Sequence, residues 1–255
     1  MMSFRRFIPA LTALALFGAP AVASAQGFTD AQKSEIKSII KDYLLSNPEI
    51  LEEVSTELSK RQAVAEAAKH EAAVAKNANL IYNSPRGVVL GNKDGDVTFV
   101  EFFDYNCGYC KKAMSDMLDL MKSDPKLKVV LKDFPVLGPG SVEAAQVAVA
   151  VKMQDPTGKK YLDFHQKLLG GRGQADKARA LAVAKEVGID MARLDKDMTS
   201  PEVRATLEEN FKLAEEMGMN GTPSYVIGKQ VVVGAIGLDG LKEKVSTARC
   251  GKATC

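Results

Sequence analysis

Val97-Thr98-Phe99-Val100-Glu101-Phe102-Phe103-Asp104-Tyr105-Asn106-Cys107-Gly108-Tyr109-Cys110-Lys111 decides how the rest of this chain is read. Its first seven residues are β-branched or aromatic apart from Glu101, which is the composition of a strand. A helix is expected from about residue 109 to residue 121. The two cysteines, separated by two residues, stand where the strand gives way to that helix. This spacing lets both sulfurs lie on one helical turn, close enough to bond. The first cysteine falls at the helix start, where unpaired backbone N–H groups and the helix dipole favour negative charge. A thiolate is stabilised there, and the thiolate is the species that attacks a disulfide. The second cysteine lies one turn deeper, placed to attack a mixed disulfide from within.

Other chemistries compete for the same pair. A zinc site would need Cys250 and Cys255 as further ligands, and their four-residue gap is wider than usual beside a two-residue gap. A c-type haem site needs His directly after the second cysteine, but Lys111 stands there. An inert structural disulfide stays open, although its place at a strand-to-helix junction would then carry no meaning.

Outward from this stretch the pattern is α/β. Residues 88–90 form a short apolar run, and residues 91–95 a turn rich in Gly, Asn and Asp. Residues 127–134 read as a second long strand, closed by Pro135. From residue 141 to residue 217 the reading is helical, with Ser141 as the first cap. Asp155-Pro156-Thr157-Gly158, Gly170-Gly171 and Gly188 act as breaks, and Pro201 opens a longer helix. Residues 224–227 and 230–233 form a hairpin around Gly228-Lys229. A last helix covers about residues 238–248.

The N-terminal third reads differently. Arg5 and Arg6, an apolar run over residues 8–22, and Ala23-Ser24-Ala25 make a signal peptide cleaved after Ala25. The run is shorter than the ~20 residues a spanning helix needs. Residues 26–83 form a helical arm. Thr29 and Asp30 can cap it, and Ile36, Ile39, Ile40, Tyr43 and Leu44 recur at helical spacing. Asn47 caps a second helix with Pro48 at its first position. There Leu51, Val54 and Leu58 share a face, and an Ala-rich run follows to Ala78. A domain boundary is expected at 83/84, with a second domain over 84–255.

The 255-residue chain is 46% apolar, enough for a substantial core. Without Arg5 and Arg6 its 34 basic residues become 32, against 32 acidic ones. That balance, with no Trp, argues against nucleic acid or an acidic membrane surface as partner. Export places the chain in an oxidising compartment. There Cys250 and Cys255 are expected to form a second, structural disulfide contributing about 2 kcal/mol. A redox relay or a metal contact is the alternative for that pair.

The segment Phe102 to Lys111 resembles the active-site segment of DsbA-like thioredoxin-fold proteins. Gly221-Thr222-Pro223-Ser224-Tyr225 resembles that family's second signature, a loop with a cis proline facing the cysteines. The helical block 141–217 lies where the family carries its insertion. The resemblance implies a thioredoxin-like fold with an inserted helical subdomain, working as a periplasmic disulfide isomerase or oxidase on protein thiols and disulfides. It places Cys107 as nucleophile, Cys110 as resolving thiol and Glu101 as the buried acid that takes the proton of Cys110. Thr222, Pro223, Gly108 and Tyr109 face the substrate. No organic cofactor and no metal are required, and a membrane redox partner is implied. The arm resembles that of ScsC-type (suppressor of copper sensitivity) members, implying a homodimer or homotrimer. Cu(I) binding on the same thiols is the rival reading. Gly108-Tyr109 departs from the strongly oxidising Pro-His version, so no imidazolium supports the thiolate. His165, among Phe164 and Leu168, reads as structural, and His70 carries no clear signal.

Overall fold

The central sheet follows from two runs that are buried on both faces. In β2 (Val97–Phe103) every residue but Thr98 is buried, and in β3 (Leu127–Asp133) every residue but Lys128. They run parallel, from Val97 opposite Leu127 to Phe103 opposite Asp133. A parallel pair needs a crossover, and α3 (Gly108–Ser123) supplies it. β1 (Val88–Gly91) lies antiparallel on the outer side of β3, and β4 (Ser224–Ile227) antiparallel on the other side of β2. β5 (Gln230–Val233) closes the hairpin with β4, turning at Gly228 with φ +59. The order is β1-β3-β2-β4-β5. The computed structural model describes residues 27–255, so the expected signal peptide at residues 1–25 lies outside the described residues.

Strand alternation gives the sheet two apolar faces. Phe99, Phe103, Val129 and Leu131 meet Cys110, Ala113, Met117 and Leu120 of α3 and Leu241 and Val245 of α9 (Gly237–Cys250). The insertion extends this core through α4 (Pro139–Gln154), α5 (Lys159–Gly170), α6 (Lys177–Glu186) and α7 (Met191–Met198), which add Ala148, Phe164, Ala180 and Leu194. On the opposite face Val100, Phe102 and Val130 are covered by Leu213 and Ala214 of α8 (Pro201–Glu216) and by Val74 and Ile81 of α2 (Glu49–Tyr82). Each phenylalanine removed from water contributes about 2 kcal/mol.

α1 (Asp30–Ser46) starts with a capping box between Thr29 and Gln32. The structure revises three details of the sequence reading. Asn47 caps the C-terminus of α1, its Nδ2 donating to the Tyr43 carbonyl at 2.9 Å, and α2 then begins at Glu49. Ser141 does not cap α4: Gly138 holds that position with Pro139 next, and Ser141 is buried in the first turn. The short helix α7, capped by Asp190, was not distinguished within the helical block.

The chain divides into two units, one ending at Leu58 and one spanning Ser59–Cys255. The sequence placed its boundary at 83/84, but residues 59–82 belong with the second unit. Val74, Asn77 and Ile81 are buried there. Asn77 donates to Glu216 at 2.6 Å, Lys128 to the Tyr82 carbonyl at 2.9 Å, and Lys229 pairs with Glu71 at 2.7 Å. In the first unit no residue of α1 is buried, and Ile39, Ile40, Tyr43, Leu51, Val54 and Leu58 are exposed. No described helix is long and apolar enough to cross a membrane. Cys250, the last residue of α9, is bonded to Cys255, their Cα atoms 6.3 Å apart.

Candidate active site

β2 ends at Phe103, and after three intervening residues Cys107 takes the N-cap position of α3 with φ −82 and ψ 116. The turn closes through the Cys107 N–H, which donates to the Asp104 carbonyl at 3.1 Å. Cys107 makes no side-chain capping bond of its own. Gly108 and Tyr109 open α3, and the Tyr109 ring is 73% exposed at the rim. Cys107 and Cys110 are both buried, unbonded thiols.

The two sulfurs are electrostatically opposite. The Cys107 thiol is lowered from its usual 9.0 to about 5. A hydrogen bond from the Cys110 thiol is the main cause, working against desolvation. The Thr222 hydroxyl and the backbone N–H groups of Cys110 and Tyr109 add to it. The same bond first, and then burial, push Cys110 far above the ordinary thiol range. Near neutral pH the pair is therefore one thiolate and one thiol, with the thiolate at the helix N-terminus.

The loop before β4 completes this geometry. Antiparallel pairing sets Ser224 opposite Phe102, which brings residues 221–223 to the end of the sheet where Cys107 lies. The Thr222–Pro223 peptide is cis. Cys107 Sγ lies 3.2 Å from the Thr222 carbonyl oxygen. Thr222 Oγ1 is buried with no hydrogen-bond partner among the described residues, and it becomes a donor when Cys107 ionises. The Pro223 carbonyl is held by the Gly234 N–H at 2.8 Å.

Glu101 shares the face of Phe99 and Phe103, stands between Leu131 and Tyr225 in the ladder, and is 3% exposed. Burial first, then the charges of Cys107 and Asp116, raise its carboxyl from 4.5 to about 8. His165 is buried with its ring edge-on to Phe103 at 4.6 Å and Nδ1 3.4 Å from Tyr105 Oη. Burial lowers it to about 3, so it is a neutral packing residue. His70 pairs with Glu66 on α2 at 3.3 Å. Among the described residues no group of three or more His, Cys, Asp or Glu is arranged to hold a metal ion.

Two residues in the turn before Cys107 were missed by the sequence reading. Asp104 Oδ1 accepts from the Asn106 N–H at 2.7 Å, and its Oδ2 accepts from the N–H groups of Val136 and Leu137 at 2.8 and 2.9 Å. Asn106 reaches Ser141 and Ala175. The available signal was two turn-forming side chains bracketing Tyr105 directly before Cys107.

Residues 98–246 match the DSBA-like thioredoxin domain. The chain belongs to that family of thiol-disulfide oxidoreductases. Residues 32–65 of this DSBA-like chain also match the copper resistance protein ScsC N-terminal domain. A thioredoxin-like oxidoreductase from Silicibacter pomeroyi is 42% identical, with a TM-score of 0.64 covering 67% of this chain and 96% of that one. Proteus mirabilis ScsC in a transitional conformation is 30% identical, with a TM-score of 0.63 covering 88% and 98%. Disulfide bond formation protein D of Bacillus subtilis is 27% identical over 64% of this chain and 78% of its own length. The DSBA-like chain also matches Na(+)/H(+) antiporter NhaA 1 of Salinispora arenicola at 24% identity, spanning 25% of that protein's length.

Proposed function

We propose that this chain exchanges disulfides with substrate proteins, Cys107 attacking first and Cys110 resolving. The observation that carries this reading is the Cys107 sulfur at the N-cap of α3, 3.2 Å from the Thr222 carbonyl oxygen. The thiolate attacks one sulfur of a substrate disulfide. A Cys107–substrate bond forms, and the other substrate sulfur leaves as a thiolate. Either that thiolate or another substrate thiolate attacks back, which rearranges the substrate. Otherwise Cys110 attacks Cys107, which reduces the substrate and leaves Cys107–Cys110 oxidised. Substrate oxidation is the same path reversed. Cys110 must lose its proton to attack, and Glu101 takes it in its ionised form, which with a carboxyl near 8 is the minor fraction at neutral pH and grows as the pH rises. Thr222 and Pro223 hold the substrate strand, with Gly108 and Tyr109 at its edge.

The exposed apolar stripe of α1 and early α2 supports a dimer or trimer formed through the arm, because helices draw most of their stability from packing an apolar face on a partner. An assembly favours isomerisation, since one protomer can hold a substrate while another exchanges its disulfides. The setting is periplasmic, and a membrane partner resets the cysteine pair. Residues 32–65, matched to the copper resistance domain, contain no Cys, His or Met, so the rival copper reading rests on residues outside that segment, Cys107 and Cys110 first among them.

The test is to incubate metal-free Cys110→Ser and Cys107→Ser proteins with a scrambled disulfide substrate. Cys110→Ser should accumulate mixed disulfides through Cys107, and Cys107→Ser none. Absence of exchange by the metal-free unaltered protein overturns the reading.

A further inference from the structure

Cys107 has no capping bond of its own, so its neighbours must keep its sulfur over the first amides of α3. Asn106, the residue before it, makes three side-chain hydrogen bonds to the helical insertion. Its Nδ2 donates to Ser141 Oγ at 2.9 Å and to the Ala175 carbonyl at 2.8 Å. Its Oδ1 accepts from the Ala175 N–H at 2.7 Å. The carboxamide thus pairs with the backbone of Ala175 as one strand residue pairs with another. An amide side chain carries donor and acceptor together; a carboxylate offers acceptors alone. The orientation is fixed because the Ala175 N–H can only donate.

Ala175 ends a glycine-rich strap, residues 170–175, between α5 and α6. The other end of the strap is held by Lys111, directly after Cys110, whose Nζ donates to the Gly171 carbonyl at 3.0 Å. Between these anchors Gly173 has φ +80. The strap also packs on the start of α4, where a Cβ at Gly140 would come within 2.8 Å of Gln174 Nε2. The helical insertion is therefore fastened on both sides of the cysteine pair.

We propose that Asn106 is a positioning residue for the exchange reaction, holding Cys107 at the N-cap of α3 by fastening the catalytic turn to the strap 170–175. This rests on Cys107 being the attacking thiol. Without the amide, the buried Ala175 N–H and carbonyl lose their partners, and nothing else on Asn106 anchors the turn to the insertion. The sulfur then moves off the helix amides, where a shift on the order of 1 Å costs up to about 100-fold in rate.

The experiment measures alkylation of reduced Cys107 by iodoacetamide against pH, the equilibrium with glutathione, and the exchange rate at pH 7. It uses the unaltered protein, Asn106→Ala, Asn106→Asp, Ser141→Ala and Asn92→Ala. Asn92 is a control for loss of an amide, since it bonds Pro125 and Asp94 in a turn at the other end of β2. Asn106→Ala should raise the alkylation midpoint by about one pH unit and slow exchange about tenfold. Asn106→Asp should raise the midpoint further, because it loses the donor and adds a carboxylate beside the thiolate. Ser141→Ala, which removes one partner of three, should shift it less and in the same direction. It carries the test if the Asn106 variants do not fold. Asn92→Ala should match the unaltered protein. An unaltered midpoint and rate in Asn106→Ala, or in Ser141→Ala where that variant carries the test, overturns the proposal while leaving Cys107 as nucleophile. Labelling of Cys110 before Cys107 in the unaltered protein overturns both.

Discussion

Cys107 Sγ and the Thr222 carbonyl oxygen are 3.2 Å apart, so the reacting sulfur and the loop before β4 touch in the molecule without substrate. As a thiol, Cys107 donates to this carbonyl. Once ionised it has no hydrogen to give, and the carbonyl is released to accept an N–H from an incoming segment. On the proposed assignment of Cys107 and Thr222, activating the nucleophile and freeing a backbone acceptor for substrate are one event.

With limiting iodoacetamide, the reduced protein should label at Cys107 alone. The rate should reach half its maximum near pH 5, where the thiol ionises. Cys110 should stay unlabelled at neutral pH, because its bond to Cys107 and its burial hold its proton. Peptide mapping across a pH series reads both, and comparable labelling of the two sulfurs at pH 7 contradicts the assignment.

The same thiolate makes the stability of the reduced form depend on pH. The Cys107 thiol ionises near 5 when folded, against a reference of 9.0, so the folded state binds its proton less tightly. Its contribution is complete above pH 9, declines as the pH falls from 9 to 5, and is absent below 5. Urea unfolding of the reduced protein and of Cys107→Ser should show an advantage for the former that shrinks over this window. An advantage that grows as the pH falls contradicts the sign.

Glu101 acts in the opposite direction. Its folded carboxyl, raised from 4.5 to about 8, costs nothing below pH 4.5, increasingly more up to pH 8, and a constant amount above. Glu101→Gln should therefore gain stability relative to the unaltered protein as the pH rises through that range. The same change should slow release of mixed disulfides by Cys110 about 100-fold, the effect of losing a proton acceptor. A variant less stable at pH 8 than at pH 4.5, relative to the unaltered protein, would show that Glu101 is not held neutral by burial.

Ile39 and Leu51 lie in the exposed apolar stripe of the first unit. Ile39→Glu with Leu51→Glu should lower the solution mass from a dimer or trimer to a monomer, leaving alkylation of Cys107 unchanged. Refolding of a scrambled substrate should fall with the mass. A monomeric unaltered protein at micromolar concentration removes the basis for assembly through the arm.

Sequence legibility followed local signals. β2 and the β4–β5 hairpin have the bounds expected, because β-branched and aromatic runs ended by glycine turns need no distant partner to be recognised. The C-terminal half of α2 was harder to place. Val74 and Ile81 are spaced for one helical face, but alanines dilute that face until its docking on the sheet is visible only in three dimensions. Ser141 looked like a cap because its type favours caps, yet it serves Asn106 inside the fold. The role of Asn106 was not readable at all. Its main partner is the backbone of a residue 69 positions away, and a backbone group leaves no mark in a sequence.

The docked end of α2 decides where this protein can be shortened. Val74 and Ile81 form the ceiling over Val100, Phe102, Val130 and Val226, so a chain starting at Pro85 would expose that greasy surface to solvent. Such a fragment would clump or soften for reasons unrelated to the arm, and a loss of refolding activity in it would be misread as a loss of assembly. A cut before Ser59 leaves the ceiling in place, and it separates what the first helices do for the company the protein keeps from what the second helix does for its own integrity.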